Sequence, residues 1–212
     1  MLFQDRCSAG KLLAQKLQSY KNNPDTVILA IPRGGLETGF SLAKELNLPL
    51  DVIFTKKIGF PGNPEYAIGA VSLNSEVVLK TLISTGQVSQ KYVDEQIKKI
   101  RTLLQERYQQ YLGDKKPLDL NDKIIIITDD GAATGRTLLA AIELIKKEKA
   151  KKIIVAIPVS HPETVAELKK KAEVICLETP SDFFAVGQFY EHFAQVSDEE
   201  AIRLLHEANQ KN

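Results

Sequence analysis

Residues 124–137, which read IIIITDDGAATGRT, constrain the fold of this 212-residue chain more than any other segment. Four consecutive isoleucines bounded by charge are typical of a buried parallel strand. Asp129 and Asp130 follow that strand directly, at the place where open α/β sheets bind their ligands. The small residues of 131–137 lead into a helix, whose free N–H groups and positive dipole end would face the same place. The segment therefore predicts a phosphate loop beside two carboxylates.

The two acids narrow the kind of ligand. They would repel a bare anion, so the ligand should offer hydroxyls or a divalent cation to the acids and a phosphate to the loop, as a sugar phosphate does. A P-loop is excluded because three residues rather than four separate Gly131 from Gly135, and Arg136 stands where lysine is required. No G-x-G-x-x-G follows a predicted strand, so a dinucleotide site lacks its fingerprint. An ordinary strand-turn-helix with acidic caps stays open as an alternative.

The same residues resemble the phosphoribosyl diphosphate (PRPP) signature of type I phosphoribosyltransferases, which has four apolar residues, two acids and a turn of the G-x-A-T-G-x-T type. The resemblance implies that Asp129 and Asp130 are the catalytic pair and hold the ribose hydroxyls. It also implies that the turn binds the 5′-phosphate of PRPP through Gly131, Ala132, Ala133, Thr134, Gly135, Arg136 and Thr137.

A second strand-to-helix turn follows the first predicted strand at residues 31–35. Arg33 can direct two donors onto phosphate oxygens, and the adjacent Gly34 and Gly35 permit close approaches of the main chain. The turn resembles the diphosphate-binding loop of the same family. Taken alone, it would be an ordinary proline-glycine turn.

Residues 56–65 hold two glycines, two prolines and paired lysines, which predicts a long irregular loop. Long loops in compact domains tend to be functional lids, and this one resembles the flexible loop that closes over diphosphate in the family. Because neighbouring strand residues face opposite sides, we expect one lysine of the pair to point inward, and we favour Lys57 as a diphosphate ligand. The alternative is that Lys56 and Lys57 are solvated residues at a strand end.

Strand and helix patterns alternate along the chain, which predicts an α/β fold with a mostly parallel twisted sheet and helices on both faces. Predicted strands cover residues 27–31, 50–55, 67–73, 76–79, 123–128, 153–159 and 173–177, the third and fourth forming a hairpin. Predicted helices cover residues 9–20 capped by Ser8, 36–46, 88–112, 137–147, 162–171 and a last one capped by Ser197 in a capping box with Glu200. In the helix over residues 88–112, Val93, Ile97, Ile100, Leu103 and Leu104 are expected on one buried face.

We expect one domain over residues 1–212, with a small hood built from the chain ends. Residues 180–196, called the hood segment below, are rich in aromatic side chains and lack a clear period. The resemblance implies that this segment, together with the first helix, recognises the acceptor substrate. Packing on the core is the plainer explanation for most of its rings.

Composition excludes several classes of protein. The 28 basic residues nearly balance the 27 acidic ones and are spread along the chain, so we expect no nucleic-acid partner. No segment has the length of a membrane span or the pattern of a signal peptide, which predicts a soluble cytoplasmic protein without a membrane partner. Cys7 and Cys176 are expected to be unpaired thiols. The three histidines stand in unrelated contexts, so a histidine metal site has no support.

The resemblance implies that diphosphate is displaced from C1 of PRPP by a nitrogen nucleophile, with Mg²⁺ bound through PRPP rather than by protein ligands. Ala133 stands where 6-oxopurine members carry an aspartate, which weakens a hypoxanthine, guanine or xanthine acceptor. Two alternatives stay open: a regulatory sensor that binds PRPP or a nucleotide without turnover, and a phosphate-ester hydrolase that uses Asp129 and Asp130 as metal ligands. The acceptor and the state of association, a homodimer included, are left open.

The whole chain is similar to a group of bacterial predicted phosphoribosyltransferases without a settled acceptor. Their motifs P-R-G-G, K-I-G-x-P with P-E-x-A-I-G-A-V, D-D-G-x-A-T-G and A-V-G-x-F-Y fall here on residues 32–35, 57–71, 129–135 and 185–190.

Overall fold

The computed structural model describes residues 2–210, apart from the side chain of Lys80. Its strands are β1 Thr26–Ala30, β2 Leu50–Val52, β3 Lys56–Phe60, β4 Asn63–Val71, β5 Glu76–Val78, β6 Ile124–Thr128, β7 Lys152–Val159 and β8 Glu173–Glu178. Its α-helices are α1 Arg6–Lys16, α2 Gly35–Leu46, α3 Lys80–Ser84, α4 Gln90–Leu112, α5 Arg136–Lys147, α6 Pro162–Lys169 and α7 Asp198–Asn209. Short 3-10 helices cover Gln18–Tyr20 and Val186–Phe189.

Five strands form a parallel sheet in the order β2-β1-β6-β7-β8, which confirms the predicted mostly parallel sheet. The isoleucine strand β6 is central, and its Ile126 pairs with Ile28 of β1 and Ile154 of β7. Parallel strands end at one edge of a sheet, so the turns that follow β1, β6 and β7 meet at that edge.

Helices cover both faces of this sheet, as predicted. On one face α1, α2, α4 and α7 form a core with Ile28, Ile126 and Ile154. On the other face α5 and α6 pack against Ile125 and Ile127. Successive strand residues point to opposite faces, so a strand covered on both faces needs an unbroken apolar run.

The prediction of an irregular loop over residues 56–65 was wrong. These residues form the antiparallel hairpin β3-β4, which β5 extends to a three-stranded sheet through the predicted β4-β5 hairpin. Gly62 takes the left-handed conformation (φ 78°) at the turn. At Gly59, where the register shifts, an added Cβ would lie 2.6 Å from Cα of Pro64. The glycines and prolines that indicated a loop are therefore needed for a tight turn and for the close approach of β3 and β4 at the register shift.

Three helix details also differ from the sequence predictions. Asp5, not Ser8, is the N-cap of α1: its carboxylate accepts a bond from the Ser8 amide (2.7 Å), while the Ser8 hydroxyl accepts one from the Asp5 amide (3.0 Å). The short helix α3 was missed, because five residues give too little periodicity. Leu103 is 41% exposed and does not belong to the buried face of α4. The predicted Ser197 cap is confirmed by the bond that its hydroxyl accepts from the Glu200 amide (3.2 Å). The capping box is not completed, because the Glu200 carboxylate bonds Arg203 instead.

The hood segment packs against the N-terminal residues. Phe3 bridges to Tyr190 in parallel register, with main-chain bonds from Phe3 N to Phe189 O and from Glu191 N to Phe3 O, each 2.8 Å. Phe3, Ala9 and Tyr190 share a small apolar cluster with Val159 at the end of β7. The hood segment is thereby fixed above the carboxyl edge of the parallel sheet.

The outer edge of the parallel sheet is closed by a side chain. Asn209 in the last helical turn accepts a bond from Leu50 N (3.2 Å) and donates one to Leu50 O (2.7 Å), as a neighbouring strand would. Cys7 and Cys176 are free, as predicted. None of the helices in the described part of the chain combines the length and the apolar character that a bilayer crossing requires.

Candidate functional site

The two predicted carboxylates lie at the carboxyl end of the central strand. Asp129 and Asp130 follow β6 directly, and Oδ1 of Asp129 accepts a bond from the Asp130 amide (2.9 Å). Both side chains are partly buried. This is the position at which open α/β sheets present ligand-binding groups.

The turn after β1 packs directly on the two acids. A Cβ added to Gly34 would lie 2.1 Å from Oδ2 of Asp130, and one added to Gly35 would lie 2.9 Å from Cα of Asp129. The preceding peptide bond between Pro32 and Arg33 is cis. The turns after β1 and β6 approach so closely that both positions require glycine. From the sequence, the two glycines were expected only to permit such contacts.

Residues 131–137, which are the open loop before α5 and the first two residues of that helix, form what we call the cradle. Two of its carbonyl groups are fixed by side chains that follow β7: the Ser160 hydroxyl donates to Ala132 O (2.8 Å), and the Thr164 hydroxyl donates to Ala133 O (2.6 Å). Gly135, in the left-handed conformation (φ 62°), redirects the chain into the helix. The loop lines a cavity of about 140 Å³ together with Asp129 and Leu138.

The amides of the cradle are available to a ligand. Within residues 2–210 no hydrogen-bond acceptor is found for the backbone N–H groups of residues 133–137. The side chains of Thr134 and Thr137 are exposed at the same loop. Unpaired N–H groups at a helix N-terminus form an anion site, so the cradle can bind a phosphate.

Burial raises the pKa of both acids, and the charge of Asp130 raises that of Asp129 further. Desolvation, and then the charge of Asp130, hold the pKa of Asp129 well above its ordinary value. Desolvation also raises the pKa of Asp130, against the opposing effect of the Arg6 guanidinium. Titratable groups with such perturbations cluster at functional sites.

Arg6 is a buried member of the site that the sequence analysis missed. Its Nε donates to Oδ2 of Asp130 (2.8 Å), and its Nη1 donates to Oε2 of Glu37 (3.1 Å) and to Ala194 O (2.8 Å). The predicted helix began at residue 9, so Arg6 lay outside it and its unfavourable place at the positive dipole end of α1 gave no signal in the sequence.

Tyr190 was placed in the hood segment but not assigned to the acids. Its hydroxyl donates to the main-chain oxygen of Asp130 (2.6 Å), and its ring packs 5.4 Å from Phe3 and 5.1 Å from Phe193 between centroids. Burial raises the pKa of this phenol, so it stays a donor at neutral pH. The hood segment is thus joined to the end of β6.

The structure brings Arg33 to the site but not Lys57. The side chain of Arg33 makes no hydrogen bond within the described residues and lines a cavity of about 340 Å³ with Arg6, Gly34 and residues 193–196. Lys57 is paired instead with Glu65 across the β3-β4 hairpin (2.9 Å), with about half of its side chain exposed (49%). Lys56 is exposed as well. The role of Lys57 stays a prediction.

No group of three or more histidine, cysteine, aspartate or glutamate side chains is arranged to hold a metal ion in the described part of the chain. His161 caps α6 by accepting a bond from the Glu163 amide (3.3 Å), while His192 and His206 contact main-chain oxygens elsewhere.

Comparisons with known proteins agree with this geometry. The sequence model of the phosphoribosyl transferase domain matches residues 7–193. A protein found in two strains of Mycobacterium tuberculosis, provisionally named a phosphoribosyl transferase, is 38% identical over 215 residues. That match covers 98% of this chain and 47% of the relative, so the chain spans about half the length of the curated relatives it matches. The crystal structure of TT1426 from Thermus thermophilus aligns with a TM-score of 0.85 and 36% identity, over 98% of this chain and 99% of the other.

Proposed function

This chain belongs to the phosphoribosyl transferase domain family, and from that premise we propose that it transfers the phosphoribosyl group of PRPP to a nitrogenous acceptor. The observation that carries the proposal is the juxtaposition of Asp129 and Asp130 with a cradle of unpaired amides. The acids can accept bonds from hydroxyls and the amides can bind a phosphate, so the two together fit a phosphorylated pentose.

Each part of PRPP has a candidate partner. The cradle amides, with the hydroxyls of Thr134 and Thr137, bind the 5′-phosphate, and Asp129 and Asp130 bind the ribose hydroxyls. The turn at residues 33–35 receives the diphosphate, since the Arg33 side chain makes no hydrogen bond within the described residues and lines the cavity there. Lys57 joins the diphosphate when the β3-β4 hairpin moves toward the turn and its exposed pair with Glu65 opens.

The chemistry requires little covalent participation by the protein. The acceptor nitrogen bonds to C1 of the ribose as the bond from C1 to the diphosphate oxygen breaks, and the electron pair of that bond leaves with the diphosphate. Positive charge grows on the ribose meanwhile, so the two carboxylates beside it are well placed to stabilise the transition state. Catalysis is therefore positioning combined with electrostatics.

The site fits Mg²⁺ carried by PRPP. Asp129 and Asp130 offer carboxylate oxygens, the type of donor that Mg²⁺ prefers, and Asp129 lines the same cavity as the cradle. When bound, Mg²⁺ neutralises charge on the departing diphosphate. We assign its ligands to PRPP and water, because this small cation keeps several waters and binds phosphate oxygens.

Ala133 restricts the class of acceptor that the site can use. This residue lies in the cradle and has no side chain that could exchange a proton with a purine. We therefore favour an adenine-like, pyrimidine-like or less usual nitrogen acceptor over a 6-oxopurine.

Turnover is the decisive measurement. The protein is incubated with PRPP, Mg²⁺ and a panel of nitrogenous bases while diphosphate release is followed, and PRPP binding is measured in parallel by calorimetry. Acceptor-dependent release is expected for the wild type and none for the double variant Asp129→Asn, Asp130→Asn. The matched control replaces the exposed Asp94 and Asp114 by asparagine and should leave both measurements unchanged.

The outcomes separate the alternatives. PRPP binding without release for any base would favour the regulatory sensor. Binding in the folded double variant at wild-type affinity would refute the assignment of the acids.

A further inference from the structure

Arg6 connects four parts of the molecule through a single buried guanidinium. It belongs to α1, and its side chain is only 7% exposed. It contacts Asp130 after β6, Glu37 of α2 and the main-chain oxygen of Ala194, and its guanidinium carbon lies 3.7 Å from the centroid of the Phe193 ring. A buried arginine is costly unless its donors are paired, so this set of contacts defines one geometry.

The contacts divide the oxygens of the acid pair into two sets. Asp130 uses Oδ2 for the bond from Arg6, and Asp129 uses Oδ1 for the bond from the Asp130 amide. Both of these oxygens also face the turn after β1, because Cβ atoms added at Gly34 and Gly35 would meet them at 2.1 and 3.1 Å. Each acid therefore keeps one oxygen without a partner in the described structure, which matches two adjacent hydroxyls of a ligand.

The charge of Arg6 opposes the protonation of this pair. The charged and titratable groups around Asp130 and its partner Arg6 are Asp129, Tyr190 from the hood segment, Glu37 from α2, which bonds Arg6, and Arg33 in the adjoining turn. Burial favours the neutral acid, and Arg6 is the close cation that favours the carboxylate. A neutral acid would be a poorer acceptor for a ribose hydroxyl.

We propose that Arg6 is a positioning residue, which holds Asp130 as a carboxylate with one oxygen turned to the ribose and joins that acid to residues 190–196 of the hood segment. The inference rests on the proposed function, because it gives Asp130 a sugar diol as its ligand. Arg6 acts through Asp130 and does not contact the substrate. Arg6 contacts both Asp130 and residues 193–194 of the hood segment. The position of the Asp130 carboxylate is therefore coupled to the conformation of those two residues.

The test uses ribose 5-phosphate and 2-deoxyribose 5-phosphate, which differ by one hydroxyl and need no Mg²⁺. Their affinities are measured by calorimetry from about pH 5 to pH 8 for the wild type, Arg6→Gln and Arg6→Lys. The control is Arg203→Gln, because Arg203 also bridges two carboxylates, Glu200 and Glu207, but on the exposed face of α7. It should behave as the wild type does.

We expect Arg6→Gln to bind ribose 5-phosphate about 10- to 100-fold more weakly at neutral pH, the range for one charge-assisted hydrogen bond. It should also lose most of the preference for ribose over 2-deoxyribose. Without the cation, the pKa of Asp130 rises further, so the affinity of this variant should recover only at higher pH than in the wild type. Arg6→Lys should restore the pH profile while binding more weakly, since an ammonium group cannot reach three acceptors in the fork geometry.

The results distinguish the inference from its premise. A wild type that binds neither sugar phosphate would end the proposed function itself. A wild type that binds ribose 5-phosphate, beside a folded Arg6→Gln with the same affinity, preference and pH profile, would overturn only the role of Arg6. If Arg6→Gln does not fold, Arg6→Lys decides: unchanged affinity together with unchanged hydrogen exchange at residues 190–196 would overturn the inference.

Discussion

Replacement of Gly34 by alanine is a sharp test of the close approach between the two turns. Gly34 has ordinary right-handed helical angles (φ −58°, ψ −37°), so alanine costs nothing in the backbone. The new methyl group would lie 2.1 Å from Oδ2 of Asp130, and contacts of side-chain carbons below 3.0 Å are essentially never seen. The carboxylate must therefore withdraw by about 0.9 Å.

That displacement sets the size of the effect. The withdrawn carboxylate loses its bond from Arg6 and its alignment with a ribose hydroxyl of the proposed substrate. A hydrogen bond to a charged group contributes about 1.5–3 kcal/mol, which corresponds to a rise in the KM for PRPP of about 10- to 100-fold. The free energy of unfolding should fall by a similar amount, because the bond that is lost joins two largely buried charged groups.

Gly35→Ala is the matched comparison. Its methyl group would meet main-chain atoms, Cα of Asp129 at 2.9 Å and Thr128 O at 3.0 Å, which no rotamer change can relieve. We expect this variant to lose about 1–3 kcal/mol of stability by overpacking, visible as a melting temperature several degrees lower. PRPP saturation kinetics and thermal melts on both variants complete the experiment. A Gly34→Ala enzyme with the wild-type KM would refute the reasoning.

Three further predictions address the hairpin, the cradle and the acids. Lys57→Met should lower kcat/KM at least about tenfold, because Lys57 is proposed to reach the diphosphate. Lys56→Met and Glu65→Gln should change kcat/KM less than about threefold, since exposed ion pairs contribute little. Equal effects of the two lysine variants in diphosphate-release assays would contradict this. Thr164→Val removes the donor that holds Ala133 O, so the KM for PRPP should rise about fivefold, whereas Thr102→Val, which loses a similar bond on exposed α4, should not alter it. Burial raises the pKa of Asp129, Asp130, Glu37 and Glu148, so each of these groups binds its proton more tightly in the folded protein than in the unfolded chain. Their contribution to stability should therefore fall as pH rises from the ordinary carboxyl values of 3.8 and 4.5 through the raised ones. Urea unfolding without ligand would measure this decline, which Asp129→Asn should reduce; a decline of unchanged size in that variant would disprove its assignment to Asp129.

Local patterns were sufficient for the centre of the fold. The isoleucine run, the acids and the small residues of 124–137 each have one favoured local structure, and these agree with one another. Their agreement is why the central strand, the exposed amides and the start of α5 were predictable. The hairpin over residues 56–65 was mistaken for a loop because glycine and proline break regular structure on average. Here they fit a tight turn and the close approach of two paired strands at a register shift.

Arg6 and Tyr190 illustrate the limit of such patterns. Arg6 contacts partners 31, 124 and 188 residues away in the sequence, and Tyr190 bonds an oxygen 60 residues away. Neither spacing belongs to any helical or strand period. Such residues are identified only when the tertiary fold brings the chain ends to the edge of the sheet.

Asn209 has a consequence for how this molecule meets others. An outer strand with free main-chain groups can recruit a strand from another chain, which is a common route to aggregation. Here the amide of one side chain already satisfies both groups of Leu50, so an incoming peptide would have to displace α7 before it could extend the sheet beyond β2. The last turn of α7 thus protects the β2 edge against pairing with another chain. Any truncation or tag near this helix should therefore be designed to preserve Asn209.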